Sequence, residues 1–214
     1  MEWNGSYLGS YDSCIIRETI QRKPFDIGLV NLLNMEFWCA VQRYTNVYPC
    51  IVDELLPVFG IKKLGTHSIT IGGLLYILIN VGKEPILLKD YDIQQSILPD
   101  ILFKQTVQDL LVLKMLLGSG GMSNKDFVVV KGVPYIYHTC MYTGDPDTYN
   151  IPHLMRKKWF GDNLDAIGQS IMRLTRKTQR THILRESIQA VINRIHPSFM
   201  WLDNLFITKI MRYE

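Results

Sequence analysis

Alanine is almost missing from this chain: Ala40, Ala166 and Ala190 are the only three among 214 residues. Ile, Asn, Lys and Tyr are plentiful instead, a usage that suits an AT-rich coding sequence such as those of large DNA viruses and some parasites. Cysteine is scarce as well. Cys14, Cys39, Cys50 and Cys140 contain no C-x-x-C pair, which speaks against a structural zinc site and against a disulfide scaffold, so they read as reduced, mostly buried thiols. The longest apolar run, Gly72 to Val81, is interrupted by Asn80 and is far shorter than the roughly 20 residues that span a bilayer, so no membrane span is expected. The start, MEWNGSYLGSYDSC, has no basic-then-apolar pattern, and Glu2 stands where myristoylation needs glycine. A cytoplasmic or intravirion protein, not a secreted one, is the expectation.

Catalytic signatures are missing too. No G-x-S-x-G, H-E-x-x-H or Cys/His arrangement marks a nucleophile and its base. Gly60-Ile-Lys-Lys-Leu-Gly65-Thr66-His67 has the outer spacing of a phosphate loop, yet Thr66 stands where the lysine belongs. His138, His153, His182 and His196, with Asp145 and Asp147, place no pair at ligand spacing on one element. No metal and no cofactor is therefore expected, and the balance tips away from an enzyme.

What is present is a foldable core, since 47% of the residues are hydrophobic. Ser68 to Ile71, Gly72-Gly73 and Leu74 to Val81 predict a hairpin, because two glycines adopt the primed turn that matches strand twist. Leu74 to Ile79 is apolar at nearly every position, which predicts a strand covered on both faces, and Pro85 to Tyr91 predicts a third strand beside it. Ile101, Val107, Leu110, Leu111, Lys114 by its stem, Met115 and Leu117 follow helical spacing, with Gly118 as the stop. Asp126 to Val130 and Val133 to Tyr137 predict a second hairpin around Lys131-Gly132. From Asp26, read as an N-cap, Ile27, Val30, Leu33, Phe37 and Val41 predict a helix, with a strand over Phe37 to Tyr44 as the alternative.

Beyond Pro152 three helical stripes follow: Leu164 to Leu174, Ile183 to Ile195 and Leu202 to Ile210. The expected fold is α+β: a small, mostly antiparallel sheet of hairpins with a packed helix, then a helical C-terminal part. The organisation is an α+β part over residues 1–150 and a helical part over 151–214, or one continuous domain. Positive charge collects in the helical end, where Arg173, Arg176, Lys177 and Arg180 lie near one helix face, a candidate nucleic-acid contact or an ordinary solvated face. A pI near 8.6 is modest for a nucleic-acid binder.

From Leu113 to His138 the order is a helix, a polar loop, Asp126-Phe-Val-Val-Val, a glycine turn and Tyr135-Ile-Tyr-His138. This resembles the catalytic-loop region of kinase-like proteins, in the manner of pseudokinase-like reading frames of large DNA viruses. In that family a loop Asp and a downstream Asn precede a strand, a turn and a metal-binding Asp. If Asp126 takes the Asn position, the two aspartates fall near Gly121 and His138, and neither is a carboxylate. The resemblance implies a kinase-derived fold over about the middle third of the chain, its chemistry gone, with Lys83 or Lys89 imitating the strand lysine and Asp126 facing nucleotide.

Two further readings stand beside that one. The favoured reading is a non-catalytic interaction or structural protein, a subunit or accessory of a larger and viral assembly, with a protein partner or a second copy. Trp3, Tyr7, Tyr11, Trp201, Phe206 and Tyr213 are its candidate interface anchors, being residue types that carry interfaces when exposed. The kinase-like nucleotide binder is the first alternative and the nucleic-acid binder the second.

Overall fold

A computed structural model describes residues 6–7, 14–22, 25–32, 35–71, 73–117, 119–120, 123–137, 139–141, 154, 157–176, 186, 188–191 and 193. It is an α+β fold. Six strands make one antiparallel sheet: β1 (Ser6–Tyr7), β2 (Cys14–Arg22), β3 (Phe25–Leu32), β4 (Met35–Arg43), β5 (Thr66–Ile71) and β6 (Leu74–Asn80), in the order β1-β2-β3-β4-β6-β5. The helix expected from Asp26 is therefore the β3–β4 hairpin. Ile27 and Val30, three apart, lie in separate apolar clusters, whereas Phe37, Cys39 and Val41 share one at strand spacing. Asp26 lies within β3, opposite Gln21 in the ladder, not at a helix start. Propensity agrees once pairing is known, because β-branched and aromatic residues fit a pleated surface covered on both sides.

The β5–β6 hairpin is as expected, and the double coverage of β6 holds over Ile77 to Ile79, with Leu78 in one cluster and Ile77 and Ile79 in the other, while Leu74 at its start is exposed. Between β4 and β5 runs α1 (Tyr48–Leu55), where Pro49 occupies the first turn, whose N–H groups have no intrahelical partner. A 3-10 turn over Leu56–Phe59 ends at Gly60, whose φ of 69° suits glycine. Gly60 to Gly65 thus joins a helix end to a strand, and Thr66-His67 lie within β5. That is the reverse of a phosphate loop, which leads from a strand into a helix.

The strand expected over Pro85 to Tyr91 shrinks to β7 (Ile86–Leu87), and it joins a different sheet. That second sheet has the order β10-β9-β7, with β9 (Phe127–Val130) and β10 (Val133–Ile136) forming the expected hairpin. Lys131 and Gly132 both have positive φ, at 49° and 75°, the primed two-residue turn. β8 (Ser119–Gly120) pairs with β11 (Cys140–Met141).

The long helix is α2 (Asp100–Leu116), buried without a break from Leu110 to Leu116. Two expectations for it fail. Ile101 is 70% exposed, and Lys114 is buried to its ammonium rather than by its stem alone. α3 (Leu164–Arg176) packs on α2 through Ile167, Ile171 and Leu174, although Leu164, assigned to the same stripe, is exposed. Tyr48 of α1 donates to the carbonyl of Leu117 at 2.8 Å, and Gln108 of α2 donates to the carbonyl of Trp159 at 2.8 Å. One apolar cluster therefore runs from α1 through α2 to α3 and Ile188. Gly118, Gly121, His138 and the Leu202 to Ile210 stripe lie outside the described residues. Among the described residues no helix is long and apolar enough to cross a membrane.

Candidate functional site

The face of the large sheet that meets the rest of the chain is set by alternation along β4. Cys39 and Val41 pack with Val30, Ile69 and Leu78, so Ala40 and Gln42 point the other way. Ala40 there joins Ile27, Ile77, Ile79 and Val81, and the same cluster takes in Leu87, Val128 and Tyr137 from the second sheet and its flank. The seam between sheet and helical part is thus closed by apolar contact at its centre.

A polar crossing lies beside that contact. Gln42 donates from Nε2 to the Tyr137 hydroxyl, and the Tyr44 hydroxyl donates to Gln42 Oε1 at 2.8 Å. Tyr137 is placed by its own N–H, which donates to the carbonyl of Asp126 at 2.9 Å. Asp126 in turn ends a one-turn 3-10 helix. Its carboxylate accepts from the N–H of Ser123 at 2.6 Å, half of a capping box whose other half is the Ser123 hydroxyl. The buried Lys114 ammonium lies 3.9 Å from Asp126 Oδ2 and 5.3 Å from the centre of the Phe127 ring. A charge with no access to water needs such company, because burying it alone costs several kcal/mol, on the order of magnitude set by desolvation.

A second carboxylate sits on the sheet side. Asp53 of α1 is buried, which pushes its pKa up to about 6, against the pull of Lys63 and of the Gly65 and Leu64 N–H groups. Thr66 Oγ1 is 3.4 Å from Asp53 Oδ2. Burial also pushes the Cys50 thiol up to about 11, so it is not an activated nucleophile, and draws the His67 pKa down. Asp53, Thr66, Tyr137 and Thr139 border a space of about 10 Å³, room for one water.

The sequence-predicted site residues fall in different places. Lys83 lies in the loop after β6, 5.2 Å above the Trp38 ring, at the edge of an opening of about 660 Å³ that Lys131 and Glu84 also border. Lys89 is on the outer turn after β7 and pairs with Asp90 at 3.3 Å. Neither lysine is on a strand, and Asp126 is engaged by its own turn. Arg173 faces α2, where Nε and Nη2 grip Asp109 at 2.7–3.1 Å. Arg176 closes α3; Lys177 and Arg180 lie outside the described residues, as do Trp3, Tyr11, Trp201, Phe206 and Tyr213, while Tyr7 belongs to β1. Among the described residues no group of three His, Cys, Asp or Glu side chains is arranged to hold a metal. Gln42 and Tyr137 were missed by sequence reasoning, since a single Gln in an apolar strand carries no signal until its partner is known.

No family model and no curated protein matches the sequence. A solved structure does: a Helicobacter pylori proinflammatory kinase, CtkA, matches with a TM-score of 0.55 at 12% identity. The fold is similar to that of a kinase. The match covers 87% of this chain and 89% of that one, so the likeness reaches well beyond the middle third on which the sequence resemblance rests. At this identity it concerns fold alone, and because the neighbour is bacterial the viral side of the resemblance gains nothing.

Proposed function

We propose that this chain is a kinase-fold protein that binds a protein partner without transferring phosphate. The observation that carries the absence of phosphate transfer is the pairing of Gln42 with Tyr137 across the seam. In the kinase pattern a strand reading V-A-I-K supplies the lysine that holds the nucleotide phosphates and pairs with a glutamate on a helix. Cys39-Ala40-Val41-Gln42 on β4, followed by α1, resembles that pattern, with a neutral amide where the pattern has its lysine. An amide held by two tyrosines offers phosphates no charge. Asp126 supports the same reading, because its carboxylate is taken up by Ser123 and neighbours Lys114.

A nucleotide-binding reading without transfer keeps one observation in its favour, the cation of Lys83 beside an open space next to the seam. The two are separated by adding magnesium-ATP at millimolar concentration to the full chain. The non-catalytic binding reading expects no incorporation of labelled phosphate into the chain or a generic acceptor, and no rise in melting temperature. A rise without incorporation selects the nucleotide binder, and incorporation overturns both. Nucleic-acid binding has lost Arg173 to Asp109, and retention on DNA that falls steeply with salt would be needed to restore it.

A further inference from the structure

Away from the seam, on the far side of α1, the loop after the 3-10 turn, α2, the start of β10 and α3 enclose a cavity of about 350 Å³. Its walls are mostly apolar, with Phe59, Ile61 and Val133 among them, and Phe59 is fully buried, so that part of the wall is fixed by the main core. Three charged side chains border it: Asp109, Arg173 and Lys62. The Arg173 guanidinium spends Nε and Nη2 on Asp109, and Nη2 also reaches Ser170 Oγ at 2.8 Å. Nη1 makes no hydrogen bond among the described residues. Lys62 is exposed, hence at the mouth, and pairs with no carboxylate among the described residues.

Among the described residues the charge around this space does not balance, since two cations border it with one carboxylate. Asp109 holds Arg173 in a fixed orientation through a two-pronged contact, which is how a guanidinium is prepared to present its remaining edge. The volume lies within the range of small-molecule sites, which combine an apolar lining with a few convergent polar groups. We propose that the cavity binds an organic monoanion with an apolar body, an aryl or medium-chain carboxylate, whose charge meets Lys62 and Arg173 and whose body lies against Phe59, Ile61 and Val133. The proposal does not rest on the kinase-like reading, because none of these residues belongs to the seam. Such a ligand would bridge the loop that follows α1 and the α2–α3 pair, and so would tie the sheet part to the helical part.

Calorimetry on the full chain with 2-naphthoate, and with the neutral 2-naphthalenemethanol as its uncharged counterpart, tests this. Saturable binding of naphthoate at one site, at least about tenfold tighter than the alcohol, is expected, about tenfold being the worth of one good charged contact. Lys62→Glu, an exposed change that leaves the core alone, should weaken naphthoate by about threefold to tenfold, a solvent-screened attraction being replaced by repulsion, and leave the alcohol nearly unaffected. Val133→Trp should fill the cavity and abolish both; if that variant does not fold, the charge-reversal result decides by itself. No saturable binding up to about 1 mM, equal binding of acid and alcohol, or naphthoate affinity unchanged by Lys62→Glu would each overturn the proposal.

Discussion

Two buried carboxylates flank the seam, and they live under opposite conditions. Asp126, on the helical side, has a backbone N–H at 2.6 Å and a fully buried lysine 3.9 Å away. Asp53, on the sheet side, has the pull of Lys63 and of backbone N–H groups, yet burial outweighs them and its pKa rises to about 6. The two are buried to much the same depth, and what differs is the company each keeps. A cation brought in by a packed helix shares its dry environment, whereas Lys63 sits partly in solvent and its pull on Asp53 is screened.

The sharpest way to break this contrast is Lys114→Met. The substitution keeps the volume and removes the charge, leaving Asp126 without its buried cation, and about 3–5 kcal/mol of stability should be lost in urea unfolding. Adding Asp126→Asn should recover a good part of that loss; no recovery would mean that the pair's packing matters and its charges do not. Next in size is the pH response of Asp53. Its folded pKa is raised from 3.8 to about 6, so stability is fully present below about pH 4 and falls as pH rises toward 6, after which it is level. Asp53→Asn should therefore be more stable than the natural chain by on the order of 2 kcal/mol at pH 7.5, with the difference falling to about a third of that at pH 4.5 and toward nothing below about pH 4. An unchanged gap across that range would show that burial does not govern Asp53.

Smaller effects test the seam between the two sites. Tyr137→Phe removes the hydroxyl that Gln42 meets and should cost about 1 kcal/mol, and a double-mutant cycle with Gln42→Leu should show coupling of comparable size. Independence of the two changes would remove the crossing as a link between sheet and helical part. Smallest of all, Ile101→Ser should alter stability by less than about 0.5 kcal/mol, because the side chain is 70% exposed. A loss of several times that would return Ile101 to the buried stripe where its spacing placed it.

Much of the fold was legible because local chemistry and tertiary context agreed. The Gly72-Gly73 and Lys131-Gly132 hairpins, the long α2 and the amphipathic α3 rest on turn geometry and on a periodicity that packing preserved. The β3–β4 hairpin was half legible: the alternative strand over Phe37 to Tyr44 corresponds to β4, while Ile27, Val30 and Phe37 can satisfy a helical spacing and a two-faced strand equally until the partner strands are known. Lys114 was half legible: its place on the apolar face was read, and its full burial was not, because that needs Asp126, brought up from a different turn. The candidate site divides the same way. Asp126 stood out from its neighbours in sequence, while Gln42 meets Tyr137 across 95 residues and Arg173 meets Asp109 across 64. Residue types, turns and helix faces are local quantities that sequence by itself determined; which side chains share a dry interior, and hence which charges are paired and which acid holds its proton up to about pH 6, depends on distances between remote segments, and only the tertiary structure decided those.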